Sequence, residues 1–221
     1  MNDTQDQSPA GQRRTRNRRG EGGKLRDELV AAARALLKDA KAESDLTIRG
    51  VTRAAGVHPQ AFYLHFESLD ELLYAVYTAE FAEFTQALET AAASAAAGEP
   101  ALRAMCHEYA RLALAEPGRY HLLMSLRGQP HPGWDPHAMP GAPALLLLAG
   151  ALATAADRAA STKRAASGAP PAGRGPDECA VLLWASLHGL ITLRGSRPAF
   201  PWPPIGRLVD ESIDAILSIL N

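Results

Sequence analysis

A short segment of this 221-residue chain concentrates side chains that can contact the edges of nucleic-acid bases. The segment is VTRAAGVHPQAFYLHF, residues 51 to 66. Gln60 carries both a hydrogen-bond donor and an acceptor, the pair needed to recognise an adenine edge. Ala61 is small and can meet a thymine methyl group. The chemistry that this segment offers is therefore recognition rather than catalysis.

Metal binding and catalysis have weaker support in the sequence. None of the seven histidines pairs with another at the i, i+4 spacing of a zinc-binding helix, and two isolated cysteines do not form a structural zinc site. His131, Asp135 and His137 could share a metal in a loop, but such loops are more often simply exposed to solvent. The sequence also lacks a glycine-rich phosphate loop and a nucleophile elbow. We therefore expect no metal, no cofactor and no enzymatic activity.

The residues around Gln60 predict two short helices joined by a tight turn. Thr47 is placed to cap the first helix, and Gly56 supplies the backbone conformation that residues with a Cβ resist. His58 can cap the second helix, and Pro59 suits its first position because the missing N–H would be unpaired there. This is the geometry of a helix-turn-helix, whose second helix fits the DNA major groove.

Two kinds of side chain on the second helix have different predicted roles. Phe62 and Phe66, four residues apart, point inward in any helical arrangement. Tyr63 and His65 are left on the outer face with Gln60. A tyrosine or histidine on an exposed helix is usually only a surface residue, so these two depend on the surrounding motif for their interpretation.

Apolar spacing predicts helices along most of the remaining chain and no convincing strand. The predicted class is all-α, with about nine or ten helices: a three-helix N-terminal domain and a larger helical domain. Proline-rich segments at 130–143 and 168–176 interrupt the pattern. The predicted divisions are an arginine-rich arm that is disordered when free at 1–22, a helix-turn-helix domain at 23–70 and a helical domain at 71–221.

The arm contains RRTRNRR, with five arginines in seven residues. One interpretation is a solvated tail or a processing remnant. The other is an arm that reaches phosphates or a narrow minor groove beside the main site. In that case Arg16, Arg18 and Arg19 are the candidate contacts.

The sequence LTIRGVTRAAGVHPQAFYLHFESLDELLYAV resembles the DNA-binding domain of the TetR family of transcriptional regulators. The resemblance covers about residues 25 to 75 and is carried by the Ala-Gly-Val turn, Tyr63, the following His-Phe pair and the acidic, leucine-rich start of the next helix. It implies that Tyr63 and His65 hold phosphates, that residues 58 to 61 read bases and that Thr47 docks on the backbone. The implied DNA-binding set is Thr47, His58, Pro59, Gln60, Ala61, Tyr63 and His65.

This sequence departs from the family pattern at three positions. His58 stands where serine or threonine is usual, Gln60 where glycine is common, and Leu69 where a lysine typically supplies a phosphate contact.

The last two thirds of the chain predict a dimer. The helix DECAVLLWASLHGLITL is apolar almost all round, and the helix from Ala144 to Ala160 is rich in small residues. Two copies of each would form a four-helix interface, and a two-fold dimer would match a palindromic operator. The alternative is a core helix buried within a monomer. WASLHG, residues 184 to 189, resembles the Trp-His-Gly signature of one TetR subgroup.

The resemblance also implies that a small molecule binds the C-terminal domain. We expect a small apolar or amphipathic effector, although core packing explains each candidate residue individually, and His188 is also consistent with a hydrogen-bonded buried histidine. Trp134 lies in the proline-rich loop, where it could form a lid. The candidates are Met105, Cys106, Tyr109, His121, Met124, Trp134, Met139, Trp184 and His188.

These observations predict a cytoplasmic, homodimeric repressor that binds double-stranded operator DNA and is released by its effector. The two cysteines fit buried, reduced thiols, and the N-terminus has no secretory pattern. The longest uncharged run, 136 to 156, contains three prolines, and the thirteen residues after Pro143 are too few to span a membrane, so no membrane association is expected. The alternative is a helical scaffold without specific DNA binding.

Overall fold

The computed structural model describes residues 22–39, 46–124, 139–164 and 174–220. Within these ranges every regular element is a helix, and there are nine, which confirms the predicted all-α class. The helices are α1 (Gly22–Asp39), α2 (Ile48–Ala54), α3 (Pro59–Phe62), α4 (Leu69–Ala93), α5 (Glu99–Ala115), α6 (Pro117–Met124), α7 (Ala142–Arg164), α8 (Pro176–Ser196) and α9 (Ile205–Ile219).

The chain divides into two compact units, the first ending at Leu73 and the second beginning at Tyr74. This division falls inside α4, as does the predicted boundary between residues 70 and 71. The predicted arm, with Arg16, Arg18 and Arg19, lies outside the described residues.

The first unit is built by α1, α2 and α3 around a small apolar core. Leu29, Val51, Phe62 and Leu72 are fully buried. The guanidinium of Arg26 lies 5.1 Å from the centroid of the Phe66 ring, in cation–π geometry.

Helix α4 starts with a reciprocal cap at Ser68. The Glu71 amide donates to Ser68 Oγ at 3.2 Å, and the Glu67 amide donates to Glu71 Oε2 at 2.6 Å. The first bond satisfies an amide that the first turn of a helix leaves without a partner, and the second holds the residue that precedes the cap.

The second unit places α5 at its centre, packed against α6, α7, α8 and α9. Its core includes Met105, Leu152, Leu183 and Ile213. Both cysteines, Cys106 and Cys179, are free and buried, as predicted. Their burial explains why two polarisable side chains occur in apolar helical stretches.

Helix α6 begins at Pro117. Proline disrupts the interior of a helix, but here it occupies the first position, where its missing N–H breaks no hydrogen bond.

Helix α8 is long and apolar enough, by length and composition alone, to cross a membrane. This helix is not part of the uncharged run at 136 to 156. A core helix can pass the same test, and α8 contributes Cys179, Leu183 and Leu187 to the core of the second unit.

Candidate DNA-reading head and effector domain

The segment from Leu46 to Phe66, here called the reading head, has the predicted helix–turn–helix order. Thr47 caps α2, with the Gly50 amide donating to Thr47 Oγ1 at 3.1 Å. The buried Thr52 hydroxyl donates back to the Ile48 carbonyl at 2.8 Å. Both threonines are therefore held by their own helix, and Thr47 is the one that remains exposed.

The turn between α2 and α3 depends on Gly56, whose φ of +67° is in the left-handed region. The Val57 amide closes the turn by donating to the Thr52 carbonyl at 2.9 Å. Val57 is half-buried, so it packs partly against the unit.

Helix α3 is a single turn that starts at Pro59. His58 occupies the N-cap position with extended backbone, but its side chain makes no capping hydrogen bond. The proposed cap therefore holds for the backbone and not for the imidazole, which is exposed to solvent.

The reading head buries Phe62 and Phe66 and exposes Gln60 and Tyr63 as the sequence predicts, whereas His65, predicted on the outer face, is half-buried. Phe62 and Phe66 are buried, with ring centroids 5.6 Å apart. The Tyr63 ring stands edge-on to Phe62, and the residue is 61% exposed. Gln60 is exposed, whereas Pro59, Ala61 and His65 are half-buried.

Three exposed side chains in the reading head were missed in the sequence analysis. Arg49 and Arg53 lie four residues apart on α2, and both are exposed. Leu64 is 77% exposed between Tyr63 and His65. The i, i+4 spacing of the two arginines in the sequence indicates a cationic helix face. The exposure of Leu64 has no such signal in the sequence, since this residue lies beyond the end of α3 at Phe62.

In the second unit, a buried hydrogen-bonded chain joins α5, α6 and α8. Tyr109 and Tyr120 place their hydroxyl oxygens 2.7 Å apart, and Tyr120 Oη is 2.8 Å from His188 Nδ1. Two predicted effector candidates, Tyr109 and His188, thus meet at Tyr120, which the sequence analysis did not select. Trp184, four residues before His188 on α8, is 37% exposed.

Each tyrosine hydroxyl can donate and accept, so either tyrosine can be the donor between them. Burial lowers the pKa of His188, which favours its neutral ring. In the tautomer that leaves Nδ1 unprotonated, this ring accepts a hydrogen bond from Tyr120.

Burial also keeps the other ionisable groups of this region neutral. It raises the pKa of Tyr109 to about 12 and that of Tyr120 above its ordinary value. It raises the pKa of the Cys106 thiol to about 12, so this sulfur is not a reactive thiolate.

The other effector candidates lie apart from this chain or outside the described residues. Met105 is buried in the core, His121 is exposed and Met124 is half-buried. Trp134 and the three loop residues considered for metal binding lie outside the described ranges. Within those ranges, no three His, Cys, Asp or Glu side chains are grouped closely enough to hold a metal ion.

A buried ion pair ties α6 to α4. The Glu80 carboxylate is almost completely buried and accepts a hydrogen bond from Arg119 Nε. Arg119 also bonds Glu83 through its second nitrogen. Two consecutive residues of α6, Arg119 and Tyr120, therefore contact different neighbours, α4 on one side and α5 with α8 on the other.

Comparison with known proteins identifies the second unit. Residues 102–220, more than half of the chain, match the family model described as "Tetracyclin repressor-like, C-terminal domain". The chain belongs to the TetR family of transcriptional regulators. The matched description does not address the Trp-His-Gly subgroup, which stays a prediction.

Solved structures share this TetR fold at low sequence identity. A Rhodococcus sp. RHA1 protein of unknown function is 24% identical with a TM-score of 0.65, covering 89% of this chain and 95% of its own. A protein from Pseudomonas aeruginosa PAO1, described as a transcriptional regulator, is 22% identical with a TM-score of 0.68, covering 90% and 93%.

A third similar structure is that of the transcriptional regulator FadR from Bacillus subtilis in complex with stearoyl-CoA. It is 12% identical with a TM-score of 0.62, covering 88% of this chain and 99% of its own. At these identities the three likenesses establish the fold alone. A search of curated proteins finds no match.

Proposed function

We propose that this TetR-family regulator is a homodimeric repressor that binds a palindromic operator and is released by a small-molecule effector. The observation that carries the proposal is the reading head, where a buried aromatic pair supports an exposed polar surface. The effector must bind one arrangement of the two reading heads more tightly than the other, because equal affinity for both would leave the equilibrium between them unchanged.

The exposed surface of the reading head supports DNA contact. Tyr63 is in position to donate its hydroxyl to a phosphate, and Gln60 is exposed near the start of α3, the end that enters a major groove. Arg49 and Arg53 add two exposed positive charges for the phosphate backbone. His58, Pro59, Ala61 and His65 complete the proposed contact set with Thr47.

An uncharged face of α8 supports self-association. Leu182, Ala185, Gly189 and Leu193 recur at spacings of three and four residues, which places them on one side of the helix. Leu182 and Leu193 are 37% and 54% exposed, and a Cβ at Gly189 would meet no atom within 4 Å. Contiguous exposed apolar surface of this kind marks association sites.

The buried chain through Tyr109, Tyr120 and His188 supports an effector role for the second unit. It joins three helices through polar groups, and a ligand that competes for one of these bonds would change the packing of all three. We propose six other sequence candidates as further contacts: Met105, Cys106, His121, Met124, Trp134 and Trp184.

Selection from a randomised duplex library at about 150 mM salt tests the proposal, because at this concentration nonspecific phosphate binding is weakened. The wild-type chain should enrich a two-fold palindrome. Tyr63→Ala should lose it, and Tyr63→Phe, which keeps the packing on Phe62, should bind the palindrome more weakly. Tyr74→Phe, the same change outside the reading head, serves as the control.

Two outcomes contradict the proposal. Enrichment of no sequence by any variant favours the helical scaffold. Enrichment that is equal for wild type and Tyr63→Ala would place the recognition surface elsewhere.

A further inference from the structure

A groove of about 350 Å³ lies on the second unit, between α4 and the start of α7. Among its described walls, Met139 is the one residue that the sequence analysis named as a candidate for effector binding. Its described walls are Tyr74, Thr78, Phe81, Ala82, Thr85, Gln86, Glu89, Met139, Pro140 and Pro143.

The groove offers an apolar surface to a bound molecule. Phe81 is buried and lies against the turn before α7, where Gly141 allows close approach. A Cβ built at Gly141 would lie 3.1 Å from Cε1 of the Phe81 ring. Met139 and Pro140 extend this surface, so the shape and chemistry favour a ring or a short apolar body.

Thr85 is a buried wall residue whose hydroxyl has no hydrogen-bond partner among the described residues. Other threonines of α4 differ: Thr78 and Thr90 each donate to the carbonyl four residues earlier, at 2.8 Å. Because threonine in a helix populates two rotamers, rotation about χ1 exchanges its methyl and hydroxyl positions. A polar ligand group in the groove would satisfy a hydroxyl that the unliganded chain leaves unpaired.

The charge of the groove selects among possible ligands. Among its described wall residues, Glu89 is the only one charged at neutral pH, and none is lysine or arginine. Gln86 and the threonine hydroxyls add neutral hydrogen-bonding atoms. A cation or a neutral donor is therefore favoured here, and an anion is repelled.

We propose that this groove binds a small aromatic molecule carrying a protonated amine or a comparable donor, with the ring against Phe81 and the donor near Thr85 and Glu89. The groove is separate from the Tyr109–Tyr120–His188 chain, and the inference that its ligand acts as an effector rests on the proposed function. Binding itself does not, and it is measured without DNA.

The test uses the full chain and two fluorescent probes that share one ring system. 1-Naphthylmethylamine is a cation with donors, and 1-naphthoate is an anion without them. We expect 1-naphthylmethylamine to bind at least about tenfold more tightly than 1-naphthoate. The amine should also raise the thermal midpoint of unfolding, as any ligand of the native state does.

Variants locate the site. Thr85→Val should weaken amine binding about tenfold while raising the thermal midpoint of the unliganded chain, because it removes an unpaired buried hydroxyl. Thr90→Val, the same change on the same helix outside the groove, should leave amine affinity unchanged. Glu89→Gln should reduce the difference in affinity between the two probes. Ala82→Trp, at an exposed wall position, should prevent both probes from binding.

Three results would overturn the proposal: no amine binding up to millimolar concentration, equal binding of both probes, or equal affinity of wild type and Thr85→Val. Operator binding measured in parallel separates the two hypotheses. Thr85-dependent amine binding without operator recognition would support the groove as a binding site and contradict the proposed regulatory function. Operator recognition without amine binding would support the regulatory function and contradict the proposed groove ligand.

Discussion

Arg119 and Glu80 form an ion pair that is largely buried in the second unit. The carboxylate of Glu80 is almost fully buried, and the Arg119 side chain is 22% exposed. A buried ion pair contributes little net stability compared with apolar residues, but removing one partner leaves a charge in a poorly solvating environment.

We predict that Arg119→Met lowers the free energy of unfolding by about 3 kcal/mol, because Glu80 loses its cation. Urea denaturation measures this change. Arg111→Met is the matched control, since Arg111 pairs with Glu108 on the surface, and it should cost less than about 1 kcal/mol. Adding Glu80→Gln to Arg119→Met should recover part of the loss. Equal costs for the two arginine variants would contradict the assignment.

At the scale of elements, local signals in the sequence determine the reading head. The turn at Gly56 needs a positive φ, and nothing lies within 4 Å of where its Cβ would be. The cost of a substitution there is therefore one of backbone conformation and not of steric contact.

We predict that Gly56→Ala lowers the free energy of unfolding by about 1–2 kcal/mol, with Gly56→Asn less harmful because asparagine tolerates the left-handed region. Gly118→Ala is the control, as Gly118 lies in α6 without positive φ and with open space around it. It should stabilise by up to about 1 kcal/mol. Chemical denaturation measures the free energy of unfolding of each variant. An unchanged value for Gly56→Ala would show that the turn does not need a positive φ.

At the scale of the whole molecule, the main expectation is a dimer formed through the exposed face of α8. An uncharged helix face with exposed leucines is unfavourable in water unless another surface covers it. A two-fold interface would also place two reading heads on the half-sites of a palindrome.

We predict that Leu182→Glu raises the dimer dissociation constant at least about a hundredfold, because a carboxylate would be buried without a partner. Light scattering coupled to gel filtration measures the mass. Leu114→Glu is a matched control, since Leu114 on α5 is also 37% exposed and lies outside the proposed interface. A monomeric wild type, or a Leu182→Glu dimer of undiminished stability, would contradict the proposed interface.

The sequence by itself determined the helical class and the order of the reading head. These follow from contacts between residues a few positions apart: the Thr47 cap, the Gly56 turn, the Pro59 helix start and the Phe62–Phe66 pair. Local hydrogen bonding and steric limits act within one or two turns of chain, so residue type and spacing are sufficient to predict them.

Only the tertiary structure decided which distant residues meet. Tyr120 bonds His188 across 68 positions, and Arg119 bonds Glu80 across 39. The unpaired Thr85 hydroxyl and the Gly141–Phe81 contact also depend on how helices far apart in sequence pack. Periodicity predicts which face of a helix is buried, but packing of complementary surfaces selects its partner, and that selection is not encoded in any one segment.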